Sequence, residues 1–126
     1  METLHRSNFL KELKETFPQL TNKINAQYGL LNLEVHVFVD FAQCCIADND
    51  VGKVRLCFMI AEKYCAGGNA AMRTAIVVSF VELLDLRKAQ WAWDLLGPTL
   101  KDAYLYCVEI GRVAPLPYPP HCSHKS

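Results

Sequence analysis

The longest apolar stretch runs from Gly67 to Leu86, GGNAAMRTAIVVSFVELLDL, and the rest of the chain reads as helices laid against it. Asn69 follows Gly67-Gly68 and is placed to cap a helix, because its side chain can accept from the free amides of the first turn. At 100° per residue, Met72, Ile76, Val77, Phe80, Leu83 and Leu84 gather on one face. Thr74, Glu82 and Asp85 fall on the other with Val78 among them, which predicts a helix covered on more than one side. The run Ala75-Ile76-Val77-Val78 would also suit a buried strand. Roughly seventeen residues without Gly or Pro exceed a normal strand, and length decides for helix.

The same period recurs on either side. Ser7 can cap a helix from Asn8 to Phe17, with Phe9, Leu10, Leu13 and Phe17 inward, and Pro18 ends it. Leu20, Ile24 and Tyr28 suggest a short helical piece or ordered connector stopped at Gly29. Asn32 can cap a helix from Leu33 to Asp48. Val35, Val37, Phe38, Phe41, Ala42, Cys45 and Ile46 form its apolar face, and His36, Asp40 and Gln43 its polar one. Residues 34–40 alternate like a strand, but the helical period continues through Ile46 and alternation stops at Phe41. Asn49-Asp50 breaks and recaps, and a helix from Val51 to Ala66 follows. Its apolar arc holds Val54, Leu56, Cys57, Phe58, Ile60, Ala61, Tyr64 and Cys65, with Arg55, Met59, Glu62 and Lys63 outward. Gly67-Gly68 is the expected left-handed stop. A segment from Ala89 to Leu96 carries Trp91 and Trp93, and a last helix spans Pro98 to Ile110 with proline at its first position.

The prediction is therefore an all-α single domain of five to six short antiparallel helices, a layered bundle or α-solenoid-like. No internal repeat supports a true repeat protein. The helical domain covers residues 1–111, and a proline-rich tail, residues 112–126, is expected to be extended or disordered.

Composition changes this picture little. The chain has 126 residues, enough for one core and too few for two. Thirteen basic and thirteen acidic residues cancel, so no electrostatic case arises for direct nucleic-acid binding. Charges interrupt every apolar run, so no membrane span is expected, and the first residues do not resemble a secretory signal. Of six cysteines, Cys45, Cys57, Cys65 and Cys107 fall on apolar faces without paired spacing, which fits free thiols in a reducing cytoplasm better than zinc or disulfides.

Candidate chemistry is sparse. His36 and Asp40 lie one turn apart with Gln43 near, a pairing that could serve a general base, yet no nucleophile or oxyanion donor accompanies them. An exposed pair on a solvated or contact face is the simpler reading. Cys44-Cys45 read as buried small hydrophobes, since helical geometry turns adjacent side chains apart. His121, Cys122 and His124 in the tail could take a metal adventitiously, and no functional site is assigned to them. Trp91 and Trp93 lie about 200° apart on a helix, so at most one points fully inward and the other is a lid or a partner anchor. Glu34, Asp40, Asp48, Asp50, Glu62, Glu82, Asp85 and Asp94 could form an acidic surface suited to a basic partner.

The phrase Leu33-Glu34-Val35-His36-Val37-Phe38 with Asp40-Phe41-Ala42-Gln43 is similar to a pattern in a family of small, all-helical bacterial proteins. Gly68-Asn69, residues 75–82 and Leu100-Lys101-x-x-Tyr104 look like further pieces of it, and the resemblance covers most of residues 8–110. It implies a single-domain cytoplasmic protein and, for some members, an immunity protein that neutralises contact-dependent or other polymorphic toxins. It transfers no catalytic motif and places no site residue. The expectation is thus a cytoplasmic immunity protein, not an enzyme and without cofactor or metal. It would occlude the active site of a cognate toxin domain, in first place a nuclease. A helical adaptor without a toxin partner is the alternative. The expected contact residues are His36, Asp40, Gln43, Trp91, Trp93 and Asp94.

Overall fold

A computed structural model describes residues 3–27 and 29–120. The described chain is all-α. Helix α1 spans Arg6–Thr16, a 3₁₀ turn Pro18–Leu20, α2 Thr21–Asn25, α3 Leu31–Ala47, α4 Val51–Gly67 and α5 Ala70–Ile76. A π-helical segment, Val77–Val81, continues α5 directly, and α6 (Gln90–Leu95) and α7 (Pro98–Glu109) complete the fold. Both strand-like runs are helical, and the short piece after Pro18 resolves into the 3₁₀ turn and α2.

The predicted caps divide in an informative way. Asp50 accepts from Lys53 N at 3.2 Å and Asn69 from Met72 N at 2.8 Å, as their positions predict. Ser7 and Asn32 do not cap: the N-caps are His5 and Leu30, and both residues lie inside their helices. At α1 the role is partly reversed, with Asn8 Oδ1 accepting from His5 N at 2.9 Å. Gly67-Gly68 is not the left-handed stop either. Gly67 is still helical and Gly68 is extended, because Leu4 takes over the helix end. Leu4 N donates to Gly67 O, and Asn69 N donates to Leu4 O. A terminal carbonyl satisfied by another segment needs no left-handed turn.

The helix expected to reach Leu86 stops at Val81. Glu82 N donates to Val77 O at 3.0 Å, the wide π-type bond, after which the chain leaves the helix. Beyond it, Leu84 and Leu86 are buried while Asp85 between them is exposed, an extended alternation. Leu83, expected inward, is therefore 50% exposed. Leu56 on α4 is also exposed against expectation, because the neighbouring helices cover a narrower arc than its apolar pattern.

The π segment packs chiefly on α3, and α5 on α4, so the central stretch does organise the core. A chain of aromatic rings runs through it. Phe38 meets Phe9 at 5.7 Å and Phe80 at 4.9 Å, Phe80 meets Phe58 at 6.2 Å, and Phe9 meets Tyr64 at 5.4 Å between centroids. Rings at these separations attract beyond their burial.

One cap comes from another helix. Glu62 on α4 accepts from Thr99 N at 3.1 Å and Leu100 N at 3.0 Å, satisfying the first turn of α7. Gly97 leaves room for it, since a Cβ there would overlap the Glu62 side chain and push the carboxylate from its cap. We expect Glu62→Ala to cost about 1.5 kcal/mol in urea unfolding, with Glu62→Gln near half of that. A Glu62→Ala protein as stable as the parent would contradict this assignment.

Candidate protein-binding surface

The outer side of α3 is a continuous exposed stripe of Leu33, His36, Asp40, Cys44 and Ala47, stepping by three and four residues. The side opposite carries Glu34, Val35, Phe38, Ala42 and Cys45 into the core, so burial of that face sets the stripe's orientation. His36 and Asp40 are both exposed, and neither side chain makes a hydrogen bond or ion pair among the described residues, not even to the other. Shallow depressions border the stripe. One of about 660 Å³ lies between Leu30, Leu31 and Leu33 and the α5 residues Ala70, Ala71 and Thr74. A smaller one of about 170 Å³ is lined by Leu20, Lys23, Asp40, Phe41 and Cys44. A third, about 270 Å³, joins Gln43, Ile46 and Asn49 to Asp85, Lys88 and Trp91.

The structure thus brings Gln43 and Trp91 to one depression, with His36 and Asp40 earlier along α3 and exposed Asp94 one turn beyond Trp91 on α6. Trp93 does not belong there. It is wholly buried, edge-on to Tyr104 at 5.5 Å, with Lys101 Nζ 5.9 Å from its ring centroid. Trp91 is half-buried and forms a lip, so of the two indoles one points inward, as their spacing requires. Gln43 is engaged structurally. Its Nε2 donates to Asp85 O at 3.0 Å and its Oε1 accepts from Asp85 N at 2.9 Å. That reciprocal pair does for the extended segment 84–86 what a neighbouring strand would do.

Most of the expected acidic surface is also committed to structure. Glu34 is buried and paired with Arg6, Asp50 and Glu62 cap helices, Glu82 pairs with Arg112 at 3.5 Å, and Asp85 pairs with Arg87 at 3.0 Å. Hydrogen bonds from the Arg87 side chain hold the Asp85 carboxyl down to about 2. Its small contribution is therefore present above the ordinary carboxylate range and is lost as pH falls through about 2. The side chains of Asp40, Asp48 and Asp94 are left exposed without a hydrogen bond or ion pair among the described residues.

Cys45, Cys57, Cys65 and Cys107 are buried free thiols, and Cys44, expected inward, is exposed. Burial pushes Cys65 up to about 11 and Cys45, Cys57 and Cys107 upward, which leaves them unreactive as thiolates at neutral pH. Among the described residues no three His, Cys, Asp or Glu side chains gather as metal ligands. His121, Cys122 and His124 lie outside the described residues. No described helix is long and apolar enough to cross a membrane.

The pattern missed Glu34 and Arg6. The available signal was position, since Glu34 stands one turn before Phe38 on the apolar face of α3, where an unpaired carboxylate would be costly.

These features define a small all-helical domain in which several polar side chains hold the backbone in place and the outer face of α3 stays solvated. The chain belongs to the DUF7674 family, a domain of unknown function, whose model matches residues 10–109. No curated protein and no solved structure matches it.

Proposed function

We propose that this protein acts by binding another protein through the outer face of α3 and the adjoining Trp91 lip. The carrying observation is the set of uncommitted side chains there: exposed His36 and Asp40 without partners among the described residues, Asp48 and Asp94 likewise, and the partly exposed Trp91 indole at the edge of a shallow depression. Unpaired carboxylates around an aromatic anchor favour a basic partner surface, with charge setting the association rate and the indole supplying affinity. The resemblance stated above makes that partner a bacterial toxin domain, in first place a nuclease. This chain would occlude its active site in the cytoplasm without performing chemistry. A helical adaptor using the same face for a different partner is the second reading, since the surface carries no feature peculiar to a toxin.

Co-expression with the product of the neighbouring gene tests the proposal. The expected outcome is rescue of growth and recovery of a stable complex. Asp40→Lys with Trp91→Ala should abolish both while the helical circular dichroism is retained, because Asp40 is exposed and Trp91 packs only at the edge of the core. A complex without growth rescue selects the adaptor reading. Neither protection nor complex ends the toxin reading, and loss of function from His36→Ala in an assay without a partner would point to catalysis.

A further inference from the structure

After α7 the chain turns at Gly111, whose φ is +81° and whose Cβ position faces open space. Residues 112–120 then run without helix. Val113, Leu116 and Tyr118 pack half-buried against the core, while Pro115, Pro117, Pro119 and Pro120 are exposed. Proline has no N–H to give. Arg112 N and Val113 N still donate to Cys107 O. From Ala114 to Pro120 a single hydrogen bond ties the segment to the rest of the described chain, Tyr118 Oη donating to Leu86 O at 2.7 Å. Burial first, then the charges of Asp94 and Asp85, hold the Tyr118 phenol above its ordinary value, so it remains a donor at neutral pH.

A cleft of about 230 Å³ adjoins the start of this strap, walled by Glu82 to Asp85 and Arg87 on one side and by Arg112 to Ala114 on the other, with Tyr104 between them. Release would strand little. Leu86 O also accepts from Ala89 N at 3.2 Å, and the Arg112–Glu82 pair at 3.5 Å is long. Beyond Val113 the segment is held by side chains, and such a segment opens at far lower cost than a packed helix.

We propose that the channel between residues 82–87 and α7 is a peptide-binding groove, that residues 113–118 of this chain are its resident ligand, and that an extended, proline-interrupted partner segment carrying an apolar residue two positions before a tyrosine displaces them. The strap itself shows the chemistry the groove accepts. Leu116 and Tyr118 alternate inward between prolines, and the one polar contact is the hydroxyl donated to the Leu86 carbonyl. Chains without backbone donors bind here at no loss, which is the logic of proline-rich recognition generally. The tethered strap competes at a high effective concentration, so an outside peptide binds the intact protein weakly. None of His36, Asp40 or Trp91 enters the proposal, which stands apart from the α3 reading.

The test uses the full chain and a labelled peptide with the sequence of residues 112–120. By fluorescence anisotropy, Tyr118→Ala protein is expected to bind the peptide at least about tenfold more tightly than the parent, since its own strap competes poorly. Tyr118→Phe, which keeps the ring and loses the hydrogen bond, is expected to gain about fivefold. A peptide with alanine at the position of Tyr118 should bind neither. Equal affinity of parent and variants, no binding to any of them, or unchanged binding of the alanine peptide would each overturn the proposal. If Tyr118→Ala does not fold, as judged by helical circular dichroism, the same three outcomes are read on Tyr118→Phe.

Discussion

Arg6→Ala is expected to lower stability by about 3 kcal/mol at neutral pH, although Arg6 is 42% exposed and stands at the first position of a helix. The reason is its partner. Glu34 is 2% exposed, and its carboxylate receives Arg6 Nε at 2.8 Å and Nη2 at 2.7 Å, a bidentate pair. Removing the guanidinium leaves a buried carboxylate with its lone pairs unanswered, which is far more costly than losing an exposed charge. The figure sits at the low end for broken buried pairs because deletion of the half-exposed Arg6 admits water to Glu34. Urea unfolding of Arg6→Ala, Glu34→Gln and the double variant checks this. The double variant should be more stable than Arg6→Ala, because a neutral amide tolerates the site better than a stranded charge. A double variant as unstable as the sum of the singles would refute the argument.

Gly68→Ala is expected to cost about 3 kcal/mol, while Gly67→Ala should stay within about 0.5 kcal/mol of the parent. The two glycines are adjacent, and their surroundings differ completely. A Cβ on Gly68 would collide with the Tyr64 carbonyl oxygen and lie 2.9 Å from Met72 Cβ and 2.8 Å from its Cγ. Tyr64 O belongs to the α4 backbone and Met72 is wholly buried on α5, so neither moves without separating the two helices. A Cβ on Gly67 would sit 3.4 Å from Leu4 Cδ1, an ordinary contact with a side-chain tip, at a helical position where alanine is preferred. Thermal and urea melts of the two variants should therefore separate clearly, and equal effects would remove the steric explanation.

The residues that carry the family resemblance acquire specific duties in this light. Glu34 anchors α1, Gln43 holds the backbone of Asp85, Asn69 caps α5, and Tyr104 lies under Trp93. In each of these four the sequence signal marks a structural duty; of the polar residues in that pattern, His36 and Asp40 reach solvent unpaired. For this reason the contact set is narrower than the polar pattern implied. Trp93 leaves it through burial and Gln43 is half committed, so His36, Asp40, Trp91 and Asp94 remain.

By itself the sequence determined the all-α class, the extent of α3, α4 and α7 to within a few residues, the caps at Asp50 and Asn69, and the inward face of nearly every helix. These follow from local chemistry: a 3.6-residue period, side chains that can reach their own amides, and proline's missing donor. Tertiary structure alone decided what depends on distant segments. Leu4 replaced a left-handed turn at Gly67, the α3 amide of Gln43 drew residues 84–86 out of the central helix, Glu62 capped a helix 37 residues away, and the tail found a seat on Leu86. In the first three a backbone group left open by the local fold is satisfied by a residue remote in the chain, and in the last a remote hydroxyl adds to a carbonyl that already has a local donor. Such pairings leave no periodicity for sequence reading to find.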